Sequence, residues 1–171
     1  MTWYGALSFA TYYGYDLPTT AEWEKGARGP NNDDEGEHLV YPWGNAISSG
    51  YANYSYGYAN NNPGYLSYKS PVGYYNGNQT PFGPNNANGY GLYDVIGNVA
   101  EWIRSLDTTI ETYSQQESLS ASHNLLNTSN KLVRGGSYGD DSSGTKTYGR
   151  QPFSPATYSN LYGFRVIRRA P

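Results

Sequence analysis

The chain contains no cysteine. That removes disulfides, thiol nucleophiles and thiolate metal ligands together, and it leaves the chain indifferent to redox state. Histidine is almost as scarce: His38 and His123 stand far apart and cannot supply a three-histidine metal centre. Charge is thin, with 15% Asp, Glu, Lys and Arg and a formal net charge of −3. The densest basic group, Arg165, Arg168 and Arg169, is too small to neutralise a row of phosphates, so no nucleic acid is expected as a partner. No apolar run approaches the length that crosses a bilayer, and no membrane insertion is expected. Met1-Thr2-Trp3 opens directly into an amphipathic stretch, with no leader-like segment visible.

What is present is aromatic and turn-forming. Hydrophobic residues make up only 37% of the chain, and aliphatics are scarce, so 20 Tyr, 4 Trp and 4 Phe must supply much of the buried area. The 21 glycines and the many asparagines predict a loop-rich fold, with less helix and strand than usual. Disordered chains are poor in aromatics, so the 171 residues are expected to fold as one domain with a real core.

Trp3, Ala6, Leu7 and Ala10 fall on one face of a helix that Gly14 ends. Thr19 with Glu22 forms a capping box that opens a second helix through Trp23 to Arg28, closed by Gly29. Residues 30–38 predict a charged surface loop, and Tyr41-Pro-Trp-Gly-Asn45 an aromatic-anchored turn. Tyr, Asn and Gly dominate 48–90, with Pro71-Val72 as the expected start of a short strand. Residues 105–130 form a polar excursion, and two closing strands are expected near 131–138 and 163–168. Between them lies a run of Gly, Asp, Ser, Thr and Tyr. Tyr supplies contact area and Ser, Gly and Asp supply hydrogen bonds, as on adaptable recognition surfaces.

Four phrases carry a family resemblance: Leu17-Pro-Thr-Thr-Ala-Glu-Trp23, Tyr41-Pro-Trp-Gly-Asn45, Gly91-Leu-Tyr-Asp-Val-Ile-Gly-Asn-Val-Ala-Glu-Trp102, and Arg134-Gly-Gly-Ser-Tyr138 with Gly163-Phe-Arg165. In order and spacing they resemble the formylglycine-generating enzyme (sulfatase-modifying factor) family. The resemblance implies an α+β fold of the C-type-lectin-like, formylglycine-generating-enzyme-like kind: two helices near the N-terminus, short antiparallel strands, and a single domain over 1–171. The family's N-terminal strands are missing from the phrases matched. The family's best-known activity oxidises a cysteine with a cysteine pair and copper. Those positions fall near Asp140 and Thr145 here, neither of which offers the soft ligand that Cu(I) requires. Neither copper nor iron is therefore expected as a cofactor.

A non-catalytic branch, the variable proteins of diversity-generating retroelements, resembles this chain more. In that branch ligand-binding residues are diversified between the Gly-Gly-Ser and Gly-Phe-Arg phrases. Adenine-directed mutagenesis of Asn-type codons cannot reach Met, Trp, Glu, Lys or Gln, and between Tyr138 and Tyr162 only Lys146 and Gln151 belong to that set. The resemblance implies a binding surface of Tyr138, Asp140, Ser143, Thr145, Thr147, Tyr148, Phe153, Thr157, Ser159 and Tyr162. The expected ligand is a protein or glycan on another surface, met by a receptor on a phage tail or a cell exterior. The alternative is a metal-dependent oxidoreductase-like or accessory domain of the same superfamily. A third is a structural member that joins an assembly through its tyrosines.

The resemblance also implies a structural calcium ion, with carboxylates from Asp94 and Glu101 and main-chain carbonyls from Gly97 and Val99. Such a set gives the hard oxygens that calcium prefers. The bland reading is that both carboxylates hold local turns. A second calcium site would use Asn53 and the Tyr54 carbonyl, with Gly64 standing where its acid belongs. Trp23, Trp43 and Trp102 are expected in the core rather than at a ligand. The tyrosines of 51–75 are expected to pack irregular loops, and Arg134 and Arg165 to pair with buried acids.

Overall fold

The computed structural model describes residues 1–30, 39–62, 68–106 and 129–168. Thr2 caps helix α1 (Trp3–Tyr12), its hydroxyl accepting from the Gly5 amide at 3.2 Å. Helix α2 (Thr20–Arg28) opens on the predicted capping box, Thr19 and Glu22 each accepting the other's backbone N–H. A third, single-turn helix, α3 (Gly57–Asn61), lies in the Tyr- and Asn-rich stretch and has no sequence signal of its own.

Four strands form one sheet: β1 (Ala100–Leu106), β2 (Lys131–Arg134), β3 (Arg150–Phe153) and β4 (Tyr162–Phe164), in the order β3-β2-β1-β4. β2 pairs antiparallel with both β1 and β3. β4 runs parallel to β1, with Glu101 opposite Gly163 and Trp102 opposite Phe164, which corrects the expectation of an all-antiparallel set. The polar segment between β2 and β4 is also not all loop, because β3 lies within it. The central strand β1 shows no period-two signal. Ala100, Glu101, Trp102 and Ile103 are all buried, so polar and apolar residues do not alternate.

Residues 71–74 form a turn rather than the start of a strand: the Tyr74 amide donates to the Pro71 carbonyl at 3.1 Å. Gly73, at φ +72, holds the third position, where a type II turn needs a left-handed residue. Strand β2 stops at Arg134 because Gly135 and Gly136 follow at φ +84 and +69. A Cβ on Gly136 would lie 2.7 Å from the Gly144 carbonyl, so the Gly-Gly phrase also lets the next segment pass close by.

Successive side chains of a strand face opposite sides, and the sheet carries a core on each. On one side Trp102 and Val133 pack with Trp3, Ala6, Leu7 and Ala10 of α1 and with Leu17. On the other, Ile103 and Leu132 pack with Trp23 and Ala27 of α2, Tyr41, Val95 and Ile96. Each buried indole finds an acceptor: Trp3 on the Ile103 carbonyl, Trp102 on the Met1 carbonyl, and Trp23 on Glu101. Trp23 and Trp102 are thus core, as predicted, while Trp43 is half-buried and stacks on Tyr41 at 6.0 Å.

Candidate ligand-binding surface

The segment that follows the Gly-Gly phrase is pinned from below. Arg134, 2% exposed, lies 5.0 Å from the Trp23 ring and donates to Glu24 and to the carbonyls of Thr147 and Tyr148. Thr147 is fully buried, and its hydroxyl bonds the carbonyls of Leu39 and Val40 at 3.0 and 2.9 Å. Thr145 is also fully buried, its hydroxyl on the carbonyls of Asp141 and Ser142. Asp140 turns its carboxylate inward, accepting from the Ser137 amide and hydroxyl at 2.7 Å each. Its own carbonyl accepts from Ser55, and the Tyr138 carbonyl from Tyr56. These bonds fix the backbone path without using the outward side chains.

Of the ten residues predicted to bind, Ser143 and Tyr148 are exposed, and Asp140, Phe153, Thr157, Ser159 and Tyr162 are half-buried. Phe153 and Tyr162 pack against each other and beside Trp102. Tyr138, Thr145 and Thr147 are buried, which takes them out of direct reach of a ligand. Sequence pattern cannot separate a threonine that anchors a loop from one that faces outward, because the difference lies in which distant carbonyl stands beneath it.

Within or beside this segment, the exposed Tyr56, Tyr68 and Tyr158 were not in the predicted set. Tyr56 and Tyr68 flank the buried Tyr138, with ring centroids 5.5–5.7 Å apart among the three, and Lys69 lies 6.0 Å from the Tyr138 ring. Ser55 and Tyr56, both non-glycine, sit at positive φ, a costly conformation held by their bonds to Asp140 and Tyr138. Tyr58 and Tyr75 do pack the loops as expected. The tyrosine-rich stretch is therefore divided between core and surface, and its first exposed members adjoin the C-terminal segment.

The loop from Asp94 to Glu101 holds a cation of its own. Arg165 donates to both Glu101 carboxylate oxygens at 2.6 Å and to the carbonyls of Tyr93 and Asp94 at 3.3 and 3.4 Å. Trp23 donates to Glu101 as well, at 2.7 Å. Burial works against the Arg165 charge, but the Glu101 carboxylate outweighs it and holds the guanidinium above its ordinary value. Asp94 accepts from the Gly73 amide at 2.7 Å, and burial raises its carboxyl above the usual carboxylate range. As arranged, Arg165 and Trp23 donate three hydrogen bonds to the Glu101 carboxylate, so an ion pair stands where the resemblance implies calcium. The Gly97 amide donates to the Gly135 carbonyl, and the Val99 side chain lies against Gly163. At the second suggested site, the Asn53 amide is spent on Tyr68, Asn98 and Tyr58, and the Tyr54 carbonyl accepts from Gly57. Gly64, His38 and His123 lie outside the described residues. Among the described residues, no three His, Cys, Asp or Glu side chains converge.

The sequence model for the sulfatase-modifying factor enzyme 1-like domain matches residues 1–170. This chain belongs to that family. It is 30% identical over 169 residues to the serine/threonine-protein kinase pkn1 of Chlamydia caviae, covering 98% of this chain and 23% of that protein. It is 29% identical over 179 residues to the inactive C-alpha-formylglycine-generating enzyme 2 of Mus musculus, covering 99% and 48%. Among solved structures it resembles Treponema denticola variable protein 1, with a TM-score of 0.59 and 28% identity, covering 89% of this chain and 46% of that one. The chain thus spans less than half the length of each. With no cysteine, it cannot form the thiolate pair that the resemblance to formylglycine synthesis requires.

Proposed function

We propose that this domain is a non-catalytic recognition module, a variable protein of the retroelement-diversified kind, which binds a protein or glycan through its C-terminal segment. One observation carries the reading: buried or inward-turned side chains tie down the backbone around residues 137–148 from below, and Tyr148 stands exposed upon it. Arg134, Thr145, Thr147 and the inward carboxylate of Asp140 set the path. Ser143, Tyr148, Thr157 and Tyr158 vary the surface, and Tyr56 and Tyr68 extend it. Exposed tyrosines give rigid contact area at low entropic cost, which suits either ligand class. The likeness to the Treponema denticola variable protein and to an inactive formylglycine-enzyme relative supports the reading.

The test separates display from scaffold. A ligand is first selected from a glycan array and a library of surface proteins. Ser143, Tyr148, Thr157 and Tyr158 are then replaced together by alanine. Binding should be lost, while the changes at exposed Ser143, Tyr148 and Tyr158 each move stability by only about 0.5 kcal/mol or less. Trp102→Ala, at a fully buried site, should cost about 3–5 kcal/mol. A quadruple variant that unfolds, or one that binds undiminished, overturns the placement of the surface. A neighbouring reverse-transcriptase gene with a near-copy of the final coding stretch, differing at adenines, would test the retroelement assignment directly.

A further inference from the structure

Helix α2 carries a glycine, Gly26, in its interior. Glycine is a poor helix former, and nothing crowds this one: an added Cβ would meet only Leu92 Cδ1, at 3.8 Å. Close packing therefore does not require it. What the missing side chain leaves is space, since Gly26 lines a cavity of about 490 Å³ between α2 and the segment after β4. Trp23, Ala27, Leu92, Val95, Val166 and Ile167 give it apolar walls. That volume is in the range of sites that hold small organic molecules.

One polar group in the lining has donors to spare. Arg165 spends Nε and Nη2 on Glu101, Tyr93 and Asp94, and its Nη1 makes no hydrogen bond among the described residues. Its charge is balanced by Glu101, and Glu22, also in the lining, adds a carboxylate that caps α2. The polar side of the cavity therefore offers directed N–H groups in a neutral to slightly negative setting. That combination fits an uncharged acceptor better than an anion, and the Glu22 carboxylate already accepts from the Thr19 amide and hydroxyl.

We propose that this cavity binds a small neutral molecule with an apolar body and one carbonyl, the body against the α2 and Val166–Ile167 walls and the oxygen on Arg165 Nη1. The cavity shares no residue with the recognition surface, so the two readings stand or fall separately.

The probe is 2-octanone, titrated into the chain with ¹³C-labelled Leu, Val and Ile methyls. Saturable shifts should appear at Leu92, Val95, Val166 and Ile167. Octanoate and octylammonium, of matched length, should bind more weakly by about tenfold or more. Gly26→Phe fills the space and should weaken the ketone by about tenfold or more, whereas Gly26→Ala should bind near the native level. No methyl shifts up to the solubility of the ketone would overturn the site. So would a folded Gly26→Phe that binds like the native chain, and octanoate binding better than the ketone would overturn the ligand class. If Gly26→Phe does not fold, the methyl map and the three octyl compounds on the native chain decide.

Discussion

Replacing Glu101 by glutamine tests what holds the centre of the fold. Glu101 is 5% exposed and accepts three N–H donors, two from Arg165 and one from Trp23. Glutamine keeps one oxygen and turns an NH₂ group toward the guanidinium or the indole, so one donor loses its acceptor and Arg165 loses its counter-charge. Breaking a fully buried pair by removing one partner costs about 3–5 kcal/mol. The Arg165 side chain is 26% exposed and keeps two backbone carbonyls, which lowers the expected loss to about 2–3 kcal/mol. For a chain of this size, each kcal/mol moves the melting temperature by about 2–4 °C, so Tm should fall by about 4–12 °C. Near-UV circular dichroism reads it, since Trp23 sits in the network. The double variant Glu101→Leu with Arg165→Met should lose less than the sum of its parts, because it strands no charge. A Tm within about 2 °C of the native value would refute the network as a support. So would a native chain that melts like the variant once calcium is chelated, because an ion rather than Arg165 would then be holding Glu101.

Asp94 should behave in the opposite sense. Its folded carboxyl is raised by burial, so the stability tied to it is fully present below the unfolded pKa and lost as pH rises through the folded value. Asp94→Asn keeps an acceptor for Gly73 and suits the left-handed backbone at φ +53, so it should melt at or above the native chain at pH 7. The gap should close below about pH 4, and a clear loss of Tm at pH 7 would count against the assignment. Glu24 runs the other way. Burial opposes its charge, but hydrogen bonds from Arg28 and Arg134 outweigh it and hold the carboxyl below its usual value. Its stability is present above the unfolded pKa and lost as pH falls through the folded one, so the deficit of Glu24→Gln should shrink on acidification below about pH 4. A deficit that does not change with pH would show that the pairing contributes nothing.

Local features were legible in the sequence because their causes are local. The two N-terminal helices follow from apolar spacing and from Thr19 with Glu22, whose bonds close within three residues. The tryptophans of α2 and β1 read as core because a large apolar ring has few other places to go. The family phrases pointed to the fold class, and the absence of cysteine leaves this chain no thiolate pair. Tertiary structure decided what depends on distant partners. It made β4 parallel to β1, a matter of where the chain returns. It buried Thr145 and Thr147 and exposed Tyr56 and Tyr68, although all four sit in similar polar stretches. It also gave Glu101 to Arg165, 64 residues along the chain, because Arg165 directly follows β4, which lies beside β1, and a buried carboxylate takes the nearest cation.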